Sequence, residues 1–175
     1  MIHRIHSSML LAAFALTVAS CGGSDGPPTK LSEALLDAAQ RQCQKSFDCK
    51  ASYIASMHAN QSFENYVGGA TVDACFNSVK TLVLTFNGQD YFTKLDASVA
   101  AGRIKYNPND YDTCLKAGEA ESCDQLFKQN GAMGMPPAAC DTASAGLVPT
   151  AGSCTLDEDC AGVNDSCDET QHTCG

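Results

Sequence analysis

The chain has 175 residues, 11 of them basic and 20 acidic, for a formal net charge of −9. That balance excludes general nucleic-acid binding, which relies on Lys and Arg to neutralise phosphate. Hydrophobic residues at 44% and charged residues at 18% exclude a disordered acidic tail, and the length suits one domain, or one domain plus a small module.

The chain opens with a short basic segment, Arg4 flanked by His3 and His6. The apolar run from Met9 to Ala19 follows, too short for the roughly 20 residues that span a bilayer as a helix. Small residues come next, so 1–20 reads as a secretory signal. Val18-Ala19-Ser20-Cys21 resembles the lipobox of bacterial lipoproteins. In that family the Cys is alkylated with diacylglycerol, the signal is cut just before it, and the new amino group is acylated. The resemblance implies lipidation at Cys21 and a cell-envelope location. Several acyl chains, at about 0.8 kcal/mol per buried methylene, make a stable anchor. Gly22 stands where the enterobacterial pattern places Asp for inner-membrane retention, so the outer membrane is expected. Residues 21–28, CGGSDGPP, form a flexible tether.

Eleven cysteines are an odd number, which a secreted chain must account for. Setting Cys21 aside leaves Cys43, Cys49, Cys75, Cys114, Cys123, Cys140, Cys154, Cys160, Cys167 and Cys174. In an oxidising compartment these ten can form five disulfides. None has CxxC spacing, so neither a thioredoxin-like motif nor a zinc knuckle is present. No metal or cofactor is called for.

Residues 29–150 read as a helical, disulfide-bonded body. Leu31, Leu35, Ala38, Ala39, Cys43 and Phe47 recur at helical spacing over 29–47, with Ser32 or Thr29 as cap. A second helix is expected from Ser52 to about Tyr66, with Tyr53 and Met57 inward, broken by Gly68-Gly69. Thr71 caps a third from Val72 to about Phe86, whose apolar face carries Cys75, Phe76, Val79, Leu82 and Val83. A strand over 81–86 is the alternative. A shorter helix covers Tyr91 to Ala101, with Gly102 behind it.

Arg103 to Tyr106 reads as extended. Asn107-Pro108 opens a helix with Tyr111, Cys114 and Leu115 inward, ended by Gly118. Ser122 to Lys128 adds a turn or two, residues 129–139 are loop, and Leu147-Val148 is a short strand candidate. The expected core is Leu35, Phe47, Phe76, Val79, Leu82, Leu115 and Phe127. Cysteine parity, six in the body and four beyond, suggests the two parts are bonded separately. Of fifteen body connectivities, Cys43–Cys49, Cys75–Cys114 and Cys123–Cys140 are taken as the working set.

Residues 151–175 form a cysteine-rich module of another kind. Between Cys154 and Cys174 lie six acids and no Lys or Arg, with Leu156 and Val163 as the large aliphatics. So few apolar residues cannot build a core, and disulfides must specify the fold. Val99 to Cys123 and Ala139 to Cys160 resemble a large group of uncharacterised, cysteine-rich lipoproteins of the myxobacterial type. The tail is similar to small Dickkopf-like or EGF-like cysteine modules. These likenesses span roughly the second half of the chain. They imply an exported, lipid-anchored, mostly helical protein with a cysteine-rich end, and no reaction. Four cysteines admit three pairings, and likeness to small disulfide modules suggests first with third and second with fourth. Gly102-Arg103-Ile104-x-Tyr106 reads as packing and turn chemistry.

Candidate chemistry is sparse. No G-x-S-x-G elbow accompanies His58 or His172; His58 reads as a surface or helix-dipole partner and His172 as part of a small exposed loop, rather than as catalytic bases. Asp157-Glu158-Asp159 with Asp165, Asp168 and Glu169 could attract calcium. The EF-hand pattern fails at Ala161, so a solvated acidic face is expected. Asp110 and Asp112 read as helix-dipole partners rather than catalytic carboxylates. Asn60-Gln61-Ser62 and Asn164-Asp165-Ser166 match the glycosylation sequon, for which a bacterial lipoprotein has little use. The expectation is a non-enzymatic envelope lipoprotein that binds a protein or cell-surface component. An anchored hydrolase and an inhibitor-like module on an anchor are the alternatives.

Overall fold

The computed structural model describes residues 26–55, 60–128, 140, 142–162, 164–168 and 170–175. The leader, Cys21, Met57, His58, 129–139, Val163 and Glu169 lie outside the described residues. The fold is mainly α and carries five disulfides.

Helix α1, Leu31–Asp48, is the central element. Ala34, Ala38, Ala39 and Cys43 are buried along it, and their small side chains let neighbouring helices approach closely. Its first turn has no local side-chain cap, contrary to the expectation for Thr29 or Ser32. Instead the Ser32 N–H and O–H donate to Asp96 at 3.0 and 2.6 Å. Asp96 lies on α4, defined below, so the orphan donors of this helix end are met by a tertiary contact.

Of the stretch expected to be a second helix, residues 56–59 lie outside the described residues; those described show the end of a short 3₁₀ turn, Lys50–Ser52, and a brief helix α2, Phe63–Val67. Ser62 caps α2 by accepting from the Asn65 N–H, and Gly68 ends it at φ 82°. Tyr53 turns inward as expected, into a ring cluster. Phe47 and Tyr53 meet Phe63 edge-on at 5.1 and 5.6 Å, and Phe127 closes the group.

Helix α3, Val72–Asn87, starts at its predicted cap, Thr71, which accepts from the Ala74 N–H. No strand forms over 81–86. Helix α4, Tyr91–Ala100, follows, and Gly102 turns the chain at φ 70°. Strand β1, Ile104–Tyr106, pairs antiparallel with β2, Ser144–Gly146, setting Ile104 opposite Gly146. The second strand therefore lies just before Leu147-Val148. Leu147 instead donates to the Arg103 carbonyl, and Val148 bridges in parallel to Cys160.

Helix α5, Pro108–Glu119, begins at Asn107, which accepts from the Asn109 N–H. It runs one residue beyond Gly118, which is buried rather than terminal. The Lys45 ammonium donates to the Glu119 and Glu121 carbonyls at its end, at 3.1 and 2.9 Å. Tyr111 and Leu115 of α5 pack on Ala34 and Ala38, and the Tyr111 hydroxyl donates to the Ala34 carbonyl. Helix α6, Cys123–Lys128, completes the body.

The body disulfides differ from the working set. They are Cys43–Cys75, Cys49–Cys123 and Cys114–Cys140. Cys43 sits within α1 and Cys49 caps it. Six residues along a helix rise about 9 Å and turn to another face, beyond the ~7 Å Cα limit of a disulfide. Cys43 therefore reaches α3, which removes Cys75 from Cys114, and Cys49 takes Cys123 from Cys140. In the tail, Cys154–Cys167 and Cys160–Cys174 follow the expected order. No described disulfide joins body to tail.

The core also differs in part. Leu115 and Phe127 are buried and Leu35 packs at a core edge, but Leu82 is exposed and Phe76 and Val79 are only half-buried. The apolar arc of α3 is broader than the surface it packs against. Val83 and Leu84 take the inward side, and Cys75 is the fully buried member.

Candidate functional site: an acidic cleft under the cysteine-rich tail

The tail does not stand apart from the body. Leu156 inserts among Leu31, Tyr91, Leu95 and Ile104, so this tail leucine completes a body core. The other buried apolar residues described in the tail are its four half-cystines, which cluster with Val148 of the body. A 3₁₀ turn, Asp157–Asp159, carries the acids that sequence reasoning placed on a solvated face. That expectation is corrected. Asp159 is 0% exposed, and its Oδ2 accepts from Arg103 Nε at 3.1 Å, the Thr155 N–H at 2.7 Å and the Leu156 N–H at 3.2 Å. A tail without a basic residue must find its counter-charge elsewhere, and Arg103 supplies it.

Where this turn meets the sheet, a cleft of about 200 Å³ remains. Leu31, Leu95 and Ile104 form its floor, Ser144 to Gly146 one edge, and Asp157, Glu158 and Asp165 its acidic wall. Close backbone approach shapes it. A Cβ at Gly146 would overlap the Cys160 carbonyl, so only glycine lets β2 lie against the tail. The volume is below the ~300 Å³ of sites for drug-sized molecules. It admits one side chain or small polar group.

Each acid of the wall holds structure. The Tyr91 hydroxyl donates to Glu158 Oε1 at 3.1 Å. Asp157 Oδ1 accepts from the Cys167 N–H at 2.7 Å, and Asp165 Oδ2 from the Thr150 hydroxyl at 2.7 Å. Burial pushes the Glu158 carboxyl up to about 7, and the charges of Asp157 and Asp159 add to this, against the Tyr91 hydrogen bond. Burial also raises the Tyr91 phenol, with Glu158 adding to it. At Asp159 burial acts upward too, but hydrogen bonds from Ser98, Thr155 and Leu156 outweigh it and the pKa lies below the usual range. Two adjacent carboxyls are thus driven apart by their surroundings, one easily protonated and one held ionised.

The other candidates are scattered. His172 lies exposed at the tail surface with φ 53°, away from the cleft. Asp110 accepts from the Asn107 side chain in the first turn of α5, and Asp112 pairs with Lys116 at 2.6 Å, as helix-supporting groups do. The sulfurs of Cys154, Cys160 and Cys174 cluster closely, but all three are in disulfides and offer no thiolate to a metal. Sequence reasoning named Glu158 within the acidic cluster and Arg103 as packing chemistry, but it missed Tyr91 as the partner of Glu158 and Arg103 as the counter-charge of Asp159. The available signal was a six-acid tail with no Lys or Arg of its own.

Comparison with family models, curated proteins and solved structures found no match.

Proposed function

We propose that this chain is a lipid-anchored cell-envelope lipoprotein, attached through Cys21, whose role is to bind a protein or other cell-surface component rather than to catalyse a reaction. The observation that carries the anchor is cysteine accounting. Five disulfides use ten of the eleven cysteines, and the eleventh is Cys21, directly behind the lipobox-like Val18-Ala19-Ser20. Among the described residues no helix is long and apolar enough to cross a membrane. Gly22 favours the outer membrane under the enterobacterial pattern.

Support for binding over catalysis comes from the cleft. One oxygen of each carboxyl in its wall accepts from the Tyr91 hydroxyl, the Cys167 N–H or the Thr150 hydroxyl. Its described lining holds no histidine or lysine, and its one cysteine, Cys160, is in a disulfide, so neither a thiol or amine nucleophile nor an imidazole base faces it. What the cleft offers a partner is an apolar floor beside negative charge.

Cys21→Ser tests the anchor. The variant should accumulate unprocessed or leave the membrane fraction, while normal processing with membrane retention contradicts the reading. Cross-linking on intact cells, followed by pull-down from solubilised envelopes, should recover a defined partner. Turnover of an envelope substrate by the purified chain would favour the anchored hydrolase instead.

A further inference from the structure

Two large apolar side chains on α3 face away from the core. Leu82 is 46% exposed and Phe86 is 64% exposed. They are four residues apart and so adjoin on one outer face of the helix. From Ala74 to Gln89 the sole charged residue is Lys80, in a chain that carries 20 acids. Within that stretch the face brings no carboxylate toward lipid phosphates, Asp90 just beyond it is paired with Lys94 at 3.0 Å, and the face places a leucine and a phenylalanine where an interfacial segment would have them.

Its position matters as much as its composition. Val83 and Leu84, on the inward side of the same turns, pack in the cluster of Leu31, the first residue of α1. Tyr106 joins that cluster, and its hydroxyl donates to the Pro28 carbonyl at 2.6 Å. The start of the described chain is thus tied to the end of the molecule where Leu82 and Phe86 emerge. Five peptide steps separate Cys21 from Gly26, and at full extension they reach only about 18 Å. A lipid on Cys21 would hold this end, and no other, near the bilayer.

We infer that the outer face of α3 around Leu82 and Phe86 lies against the lipid surface in which the chain is anchored. The inference takes the nearness of that surface from the anchor reading above. Contact orients the molecule, with α1 rising from the membrane and the ring cluster of Tyr53 and Phe63 held away from it. Ile54 is an internal control. It is 48% exposed and equally apolar, but it follows Cys49 at the opposite end of α1, an 18-residue helix about 27 Å long.

The chain has no tryptophan, so one introduced indole reports its own surroundings. Phe86→Trp and Ile54→Trp are compared in the whole mature chain, in two forms. One is recovered from membranes and reconstituted in phosphatidylethanolamine–phosphatidylglycerol vesicles. The other carries hexahistidine in place of Cys21 and is held on the same vesicles by nickel-chelating lipid. The indole of Phe86→Trp should shift to the blue and be quenched by brominated acyl chains severalfold more strongly than that of Ile54→Trp, in both forms. Equal or weaker quenching of the Phe86→Trp indole in the tagged form overturns the inference, whatever the state of Cys21. Strong quenching there, with a natural chain that carries no lipid, upholds the contact and defeats the anchor reading instead.

Discussion

Arg103 donates from Nε to Asp159 Oδ2 at 3.1 Å, across 56 residues of sequence, and so joins the body to the cysteine-rich tail. The guanidinium also reaches Ser98 and Thr155 through Nη2, at 3.0 and 3.1 Å. No described disulfide ties these two parts together. Among the contacts that attach them are this ion pair, Leu156 in the body core, the Val148 backbone bridge, and the hydrogen bonds of Tyr91 to Glu158 and Thr150 to Asp165.

Asp159→Ala should therefore destabilise the chain by about 3 kcal/mol, as expected for breaking a buried, hydrogen-bonded pair. Arg103→Ala should cost a comparable amount, because it leaves the fully buried carboxylate with the Thr155 and Leu156 N–H groups but no counter-charge. The depressed pKa of Asp159 also sets a pH dependence. Its contribution is fully present above the ordinary carboxyl value of about 3.9 and is lost as pH falls through the lower folded value. Urea unfolding at neutral and acid pH measures both effects. A change under about 0.5 kcal/mol in Asp159→Ala, the range of neutral surface substitutions, would show that the tail needs no ionic attachment.

Glu158 should act with the opposite sign. Its folded pKa of about 7 lies above the ordinary value of 4.5. Between these values the folded chain holds a proton that the unfolded chain has released, so stability falls as pH rises through this window. The loss is on the order of 3 kcal/mol. Glu158→Gln removes the titration and should be the more stable form at pH 8. Unfolding curves at several pH values for both proteins decide this, and parallel profiles would refute it.

The disulfides should differ in worth by the length of loop they close. Cys49–Cys123 spans 74 residues and each tail bond spans 13 or 14. In the chain-entropy model the first contributes about 4.5 kcal/mol and each tail bond about 3. Paired Cys→Ala substitutions at 49 and 123 should lower stability more than those at 154 and 167. Peptide mapping without reductant should find five linked pairs and none between the groups 43–140 and 154–174. A crossing bond would contradict the separate bonding of body and tail.

Features that depend on near neighbours could be read directly from the sequence. Thr71 and Asn107 cap their helices by accepting from N–H groups three and two residues ahead, so residue type and spacing suffice. Gly68 and Gly102 stand where the chain needs positive φ. The mainly helical class followed from apolar spacing, and the separate bonding of body and tail from cysteine parity. Tertiary structure alone decided what joins distant elements. Asp96 caps α1 from 64 residues away, which no local signal carries. The body pairing depended on which helices flank α1. Asp159 became a buried counter-charge because Arg103 lies beneath it. Leu82 and Phe86 stayed outside because helical periodicity defines an apolar arc, whereas only packing determines how much of that arc a neighbour covers.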